Sequence, residues 1–125
     1  MTGLPVRCDR LRHLYQIDGE QVVALDAIDL TITPSTSNAI IGPSGSGKST
    51  LVNLLAGLQR PTSGSVYIGD NDLSTMSQTA LLRIRARRVG IAVQNPSRNL
   101  LPFADPLDNI RFAQRGPRSF PGRVD

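Results

Sequence analysis

An α/β fold is what this sequence predicts, and three stretches carry the reading. The first is a glycine- and serine-rich run, Gly42-Pro43-Ser44-Gly45-Ser46-Gly47-Lys48-Ser49-Thr50. It lies between a short apolar segment, Ala39-Ile40-Ile41, and a helical stretch at 50–56. The second is another short apolar run, Val89-Gly90-Ile91-Ala92-Val93, which follows a second helical stretch. Short apolar runs of this kind suit strands buried on both faces in a parallel sheet. The third is the opening third of the chain, where extended patterns such as Ile28, Leu30, Ile32 alternate with period two. Together they predict an antiparallel β subdomain followed by part of a parallel core sheet with its helices.

Taken in order, residues 6–15 read as a first strand. Residues 16–20 form a turn signalled by Asp18-Gly19, and 21–32 return as a second strand. Residues 34–37 are a loop, and the apolar strand 39–41 leads into the glycine-rich run. The helix after it stops at Gly57, with Pro61 just beyond. Residues 60–64 turn, 65–68 alternate as a strand, and 69–72 turn again. Ser77 is placed to cap a helix that runs to Arg88, and the apolar strand 89–93 leads into Gln94. Residues 95–106 are irregular, with Pro96, Pro102 and Pro106, and a short helix begins near Leu107. Residues 115–125, rich in Pro, Gly and Arg, have no structural period and read as a flexible or cut end.

At 125 residues the chain holds at most one domain, and 39% apolar with 19% charged content suits a soluble globular protein. No apolar run approaches the roughly 20 residues that span a bilayer. The first residues lack a charged-then-apolar leader pattern, so a cytoplasmic setting is expected. The one cysteine, Cys8, has no internal partner for a disulfide and reads as a small buried residue. The +4 net charge is modest and comes largely from arginine. Arg83, Arg85, Arg87 and Arg88 read as a solvated helix face near a helix C-terminus, where cations are favoured, so no direct nucleic-acid contact is expected.

The glycine-rich run fits Gly-x-x-x-x-Gly-Lys-[Ser/Thr], the phosphate-binding loop of nucleoside triphosphatases, in its required strand–loop–helix context. The chemistry explains the spacing. Gly42, Gly45 and Gly47 let the backbone approach an anion without a Cβ in the way. With Ser44 and Ser46 they form a concave nest of inward N–H groups. Lys48 brings a mobile positive charge to the β- and γ-phosphates, and the Ser49 hydroxyl is placed to ligate Mg²⁺. Thr50 opens the helix whose N-terminus adds partial positive charge at the same spot.

Beyond the loop, the chain resembles the N-terminal part of an ATP-binding-cassette (ABC) transporter ATPase, over most of its length. The loop has the form Gly-Pro-Ser-Gly-Ser-Gly-Lys-Ser-Thr. Ala56-Gly57-Leu58 and Arg60-Pro61-Thr62-Ser63-Gly64 resemble the family's turn after the helix. Tyr15 sits where the family places an aromatic that stacks on adenine, worth about 0.5–1.5 kcal/mol beyond area burial. Gln94, after its apolar run, resembles the Q-loop glutamine that reaches Mg²⁺ or the attacking water. Of the branches, the run before Gln94 and the Leu-Leu-Pro at 100–102 look most like the macrolide-export and lipoprotein-translocation type.

The resemblance implies ATP and Mg²⁺ as ligands, with Lys48 and Gln94 as catalytic residues. It also implies a second ATP-binding subunit, a transmembrane permease partner, and a place at the cytoplasmic face of the membrane. Asn99-Leu100-Leu101-Pro102-Phe103 lies in the region that the family uses to meet the permease, although simple packing against the helical subdomain accounts for it equally. The family's Leu-Ser-Gly-Gly-Gln signature, Walker B carboxylates and switch histidine are absent, as if the C-terminal half were missing, so weak hydrolysis is expected of this chain alone. Asp105 and Asp108 follow no apolar strand and are not promoted to that role. Two further readings stay open: an ABC-class protein of DNA repair or translation without a membrane partner, and an inactive truncated gene product.

Overall fold

The computed structural model describes residues 3–114; the expectation for 115–125 lies outside the described residues. The chain divides into two compact units, Met1–Leu81 and Leu82–Asp125.

The first unit is built on a four-stranded antiparallel sheet in the order β2-β1-β3-β4. Strand β1 (Val6–Ile17) and strand β2 (Glu20–Ile32) form a hairpin in which Ile17 pairs with Glu20. The two residues between them, Asp18 at φ 51° and Gly19 at φ 85°, both take the left-handed conformation of a type I′ turn. That turn matches the right-handed twist of the strands it joins. Strand β3 (Ser63–Ile68) lies on the other side of β1, with Val6 opposite Ile68 and Cys8 opposite Val66. The two-residue β4 (Asn71–Asp72) closes that edge.

The hairpin is not regular. Its register shifts between Cys8 and Leu11, and the side-chain alternation shifts with it. In a regular strand, residues three apart face opposite ways; here Cys8 and Leu11 are 1% and 0% exposed, both inside. They meet Leu25, Val66, Ile68 and Leu73 in the buried set of this unit. Burial also raises the Cys8 thiol pKa above its ordinary value, with Asp29 and Asp9 adding to the rise against a lowering backbone contact from Leu30.

Helix α1 (Lys48–Leu55) packs against β1, β2 and β3. Its buried residues Thr50 and Leu54 are four apart and share one face. It ends in a Schellman motif: Leu58 N–H donates to Asn53 O at 2.8 Å and Gly57 N–H to Leu54 O at 3.0 Å, with Gly57 at φ 69°. Helix α2 (Gln78–Arg88) starts where Ser77 Oγ accepts the Ala80 N–H at 3.3 Å, as its sequence predicts. Arg85, Arg87 and Arg88 fall in its last turn, beside the partial negative end of the helix.

In the second unit, a short 3₁₀ turn (Pro96–Arg98) precedes helix α3 (Pro106–Gln114). Asp105 caps α3, its Oδ1 accepting the Asp108 N–H at 2.8 Å, while Asp108 pairs with Arg111 at 3.4 Å on the exposed face. Those partners give both aspartates structural work.

One expectation needs correction. Neither Ala39–Ile41 nor Val89–Val93 forms a strand among the described residues. Ile41 is 92% exposed, and Ile40, Ile91 and Val93 are exposed as well. A parallel strand owes its ladder to neighbours brought in by crossover connections, and no described strand pairs with either segment. The sheet that forms is the antiparallel one.

Candidate functional site

The glycine-rich run forms a turn at 44–47 that opens directly into α1. Gly47 is the N-cap residue at φ 89° and ψ 5°, and no side chain caps the helix. The first-turn N–H groups of an α-helix have no partner within the helix. Here Leu51 N–H donates to Gly47 O at 2.9 Å, and the donors before it point toward the loop end, as an anion site requires. Gly47 is needed sterically. A Cβ on Gly47 would lie 2.6 Å from Ala24 O and 3.0 Å from Leu25 Cδ2, so the loop rests against β2 with no room to spare. A Cβ on Gly42 would meet Ser46 Oγ at 2.8 Å.

Lys48 bends back over the loop. Its Nζ donates to Gly42 O at 2.7 Å, to Pro43 O at 2.5 Å and to Ser46 Oγ at 3.3 Å. Ser46 Oγ in turn donates to Pro43 O at 2.8 Å. The ammonium is therefore held at the loop by neutral carbonyls and a hydroxyl, with no carboxylate among these partners. An arriving phosphate offers a stronger, charge-assisted bond than those acceptors do. Ser49, next in the chain, is exposed.

A cavity of about 550 Å³ lies between this loop and the hairpin. Ser44, Gly45 and Gly47 through Thr50 line one side; Tyr15 and Val22 through Ala24 line the other. Its size falls within the ordinary range for small-molecule sites. Tyr15 is half-buried, with the His13 ring edge-on at 4.7 Å and 84°. The Tyr15 hydroxyl is 3.2 Å from Thr50 Oγ1 and donates to Gln59 Oε1 at 3.1 Å. The structure thus brings Tyr15, Ser44, Gly45 and Gly47 through Thr50 to one cavity, while Gly42 and Ser46 are not among its lining residues. Gln59 was not anticipated from sequence; its contact with Tyr15 spans 44 residues of chain.

Gln94 belongs to the second unit, where it is exposed at the end of the extended 89–93 segment. Two asparagines missed by the sequence reading shape its surroundings. The Asn99 amide takes the place of a partner strand for Val93, accepting its N–H at 3.3 Å and donating to its carbonyl at 3.0 Å. Asn109 does the same for Leu101, accepting its N–H at 2.7 Å and donating to its carbonyl at 3.3 Å. Between them lies an apolar groove of about 600 Å³ lined by Leu100, Leu101, Pro102, Ala104 and Ile110 among others. Phe103, 96% exposed, stands free in this segment. Among the described residues, no three His, Cys, Asp or Glu side chains gather as a metal site.

A glycine-rich turn at the head of a helix thus faces an aromatic side chain across a cavity. The comparisons carry this further: residues 25–119 match the family described as ABC transporter. The chain belongs to that family. It is 42% identical over 107 residues to the methionine import ATP-binding protein MetN of Xanthomonas campestris pv. campestris, covering 86% of this chain and 31% of that protein. It is 36% identical over 114 residues to the lipoprotein-releasing system ATP-binding protein LolD of Idiomarina loihiensis, covering 91% and 49%. Among solved structures it is similar to a dimeric, post-hydrolysis state of the ATP-binding cassette MJ0796 bound to ADP and Pi, with TM-score 0.77 and 33% identity over 89% of this chain and 49% of that one. The chain therefore spans about a third to a half of the length of these relatives.

Proposed function

We propose that this chain supplies the nucleotide-binding part of an ABC transporter ATPase, binding ATP·Mg²⁺ so that hydrolysis can drive a substrate across a membrane. The single observation that carries the reading is the loop 42–50 at the head of α1, facing Tyr15 across a nucleotide-sized cavity. Backbone N–H groups of the loop hold the phosphates, Lys48 neutralises their charge, and the Tyr15 ring takes the base. Ser49 fits Mg²⁺ through its exposed hydroxyl, with phosphate oxygens and water completing a hard-oxygen shell that such a cation prefers. Bound there, the metal would supply charge neutralisation between phosphates. Gln94 is assigned to the metal or the attacking water on its place after the 89–93 segment.

The partners follow from the same reading: a second ATP-binding subunit and a membrane permease, with this chain at the cytoplasmic face. No helix among the described residues is long and apolar enough to cross a membrane. The groove around Leu100, Leu101 and Ile110 is the surface assigned to the permease. Relatives named for import and for lipoprotein release match at similar identity, so identity alone does not choose the branch. Hydrolysis by the 125-residue chain alone is expected to be weak, since the sequence carries no signature motif and no candidate Walker B carboxylate.

Titration calorimetry with ATP·Mg²⁺ tests the binding claim. Lys48→Ala is expected to weaken binding on the order of a hundredfold, the loss of charge-assisted bonds to phosphate. Equal affinity in the variant and the unaltered chain would remove the proposal.

A further inference from the structure

We propose that Gln59 is a positioning residue for Tyr15, and that the Tyr15 hydroxyl ties the ring to the Thr50 hydroxyl facing the phosphates; this rests on the nucleotide-binding reading above. Tyr15 Oη lies 3.1 Å from Gln59 Oε1 and 3.2 Å from Thr50 Oγ1. An amide oxygen only accepts, so the one phenolic proton goes to Gln59. The phenol oxygen then has lone pairs to offer Thr50, and Thr50 donates its own single proton to Tyr15. A Thr50 hydroxyl used in this way presents only lone pairs to the cavity it lines with Tyr15. A phosphate oxygen needs a donor there. Phosphate at Thr50 and the Thr50-to-Tyr15 bond therefore compete for one proton, and Gln59 keeps the ring in place while they do.

The surroundings are built to hold Gln59 where this works. The Schellman motif fixes the chain on its N-terminal side, and Gln59 N–H itself donates to Asn53 O at 3.4 Å. On the C-terminal side, Thr62 N–H donates to Arg12 O at 3.0 Å, and Thr62 Oγ1 accepts the Leu14 N–H at 3.0 Å. The segment carrying Gln59 is thus latched to β1 beside Tyr15. His13, edge-on to the ring, closes the other side. The consequence is a division of labour: Gln59 serves recognition of the base and not of the phosphates.

Binding of ATP·Mg²⁺ and of inorganic tripolyphosphate with Mg²⁺, which has no base, separates the two. Gln59→Leu is expected to weaken ATP by about three- to tenfold, the worth of one lost hydrogen bond, and not to weaken tripolyphosphate, since the phenolic proton released from Gln59 can go to Thr50 and free the Thr50 proton for phosphate. Gln59→Glu keeps an acceptor at the same reach, and its added charge repels the phosphates of both ligands alike, so the ratio of ATP to tripolyphosphate affinity is expected to stay within about twofold of the unaltered chain. The chain has two tyrosines and no tryptophan, so in a Tyr67→Phe background Tyr15 is the sole emitter, and tripolyphosphate alone is expected to change its fluorescence. Retained tripolyphosphate binding also certifies that each variant is folded. Equal weakening of both ligands by Gln59→Leu, no weakening of either, or failure of the Glu variant to restore the ratio of ATP to tripolyphosphate affinity would overturn the proposal. If the unaltered chain binds both ligands and Gln59→Leu weakens neither, only this inference falls; if the unaltered chain binds neither ligand, the nucleotide-binding reading falls and takes this one with it.

Discussion

Between Val6 and Leu81 the chain buries nine apolar side chains, from Cys8 and Leu11 on β1 to Leu54 on α1 and Leu81 on α2; among the described residues from Leu82 to Gln114 it buries none. The two regions are similar in kind, each with helices and short apolar runs, yet only the first makes a core. The difference lies in where backbone partners come from. The β1–β2 hairpin finds its ladder across a two-residue turn and gives β3, more than 50 residues further along, a formed edge to pair with, so the apolar faces have a platform. The 89–93 segment has no strand beside it, and a single side chain, Asn99, meets the backbone needs of Val93. Local pairing is enough to start an antiparallel sheet, whereas a parallel pair needs a crossover connection from the outset.

The largest expected effect breaks or confirms that contrast directly. Leu54→Ala removes a buried side chain that is 1% exposed, and is expected to cost about 2–5 kcal/mol in denaturant unfolding. Leu107→Ala on α3, 53% exposed, is expected to change stability by less than about 0.5 kcal/mol. Similar losses at both sites would mean that the second region has a core of its own.

A smaller effect sharpens the account of the second region. Asn99→Ala leaves the Val93 N–H and carbonyl to solvent and is expected to cost about 0.5–1.5 kcal/mol locally. Amide exchange at Val93 should quicken while exchange in β1 is unchanged. Exchange at Val93 that ignores the substitution would show that the Asn99 amide contributes nothing.

The smallest effect concerns Cys8, inside the first core. Its folded pKa is raised, chiefly by burial, so the unfolded thiol loses its proton first as pH climbs. The stabilising contribution is complete below the unfolded pKa, about 8.5, and drains away as pH rises toward the folded value. Stability measured from neutral to alkaline pH should therefore fall more steeply for the unaltered chain than for Cys8→Ala. Parallel slopes would contradict the burial argument.

What the sequence makes legible follows the same divide. The glycine-rich turn at the head of α1 could be read because its pattern is written in nine consecutive residues, 42–50. The β1–β2 hairpin was legible through Asp18-Gly19, and the end of α1 through Gly57, since each is a local conformational demand. The apolar runs 39–41 and 89–93 looked like strands because apolarity marks a segment that needs cover; it does not supply the cover. The Cys8–Leu11 bulge was invisible because both residues face inward against the alternation. Gln59 and Asn99 were missed for a related reason. An amide side chain reads as a polar loop residue until the fold sets a phenol or a strand end beside it.

The central claim is that residues 42–50 grip a triphosphate using backbone N–H groups of the loop and the head of α1. Amide hydrogen exchange of the 125-residue chain, followed with and without ATP·Mg²⁺, tests it most directly. The account predicts protection gained at the amides of 45–50, with Leu82 to Gln114 changing far less. No gain at 45–50, or a gain confined to the second region, would contradict it.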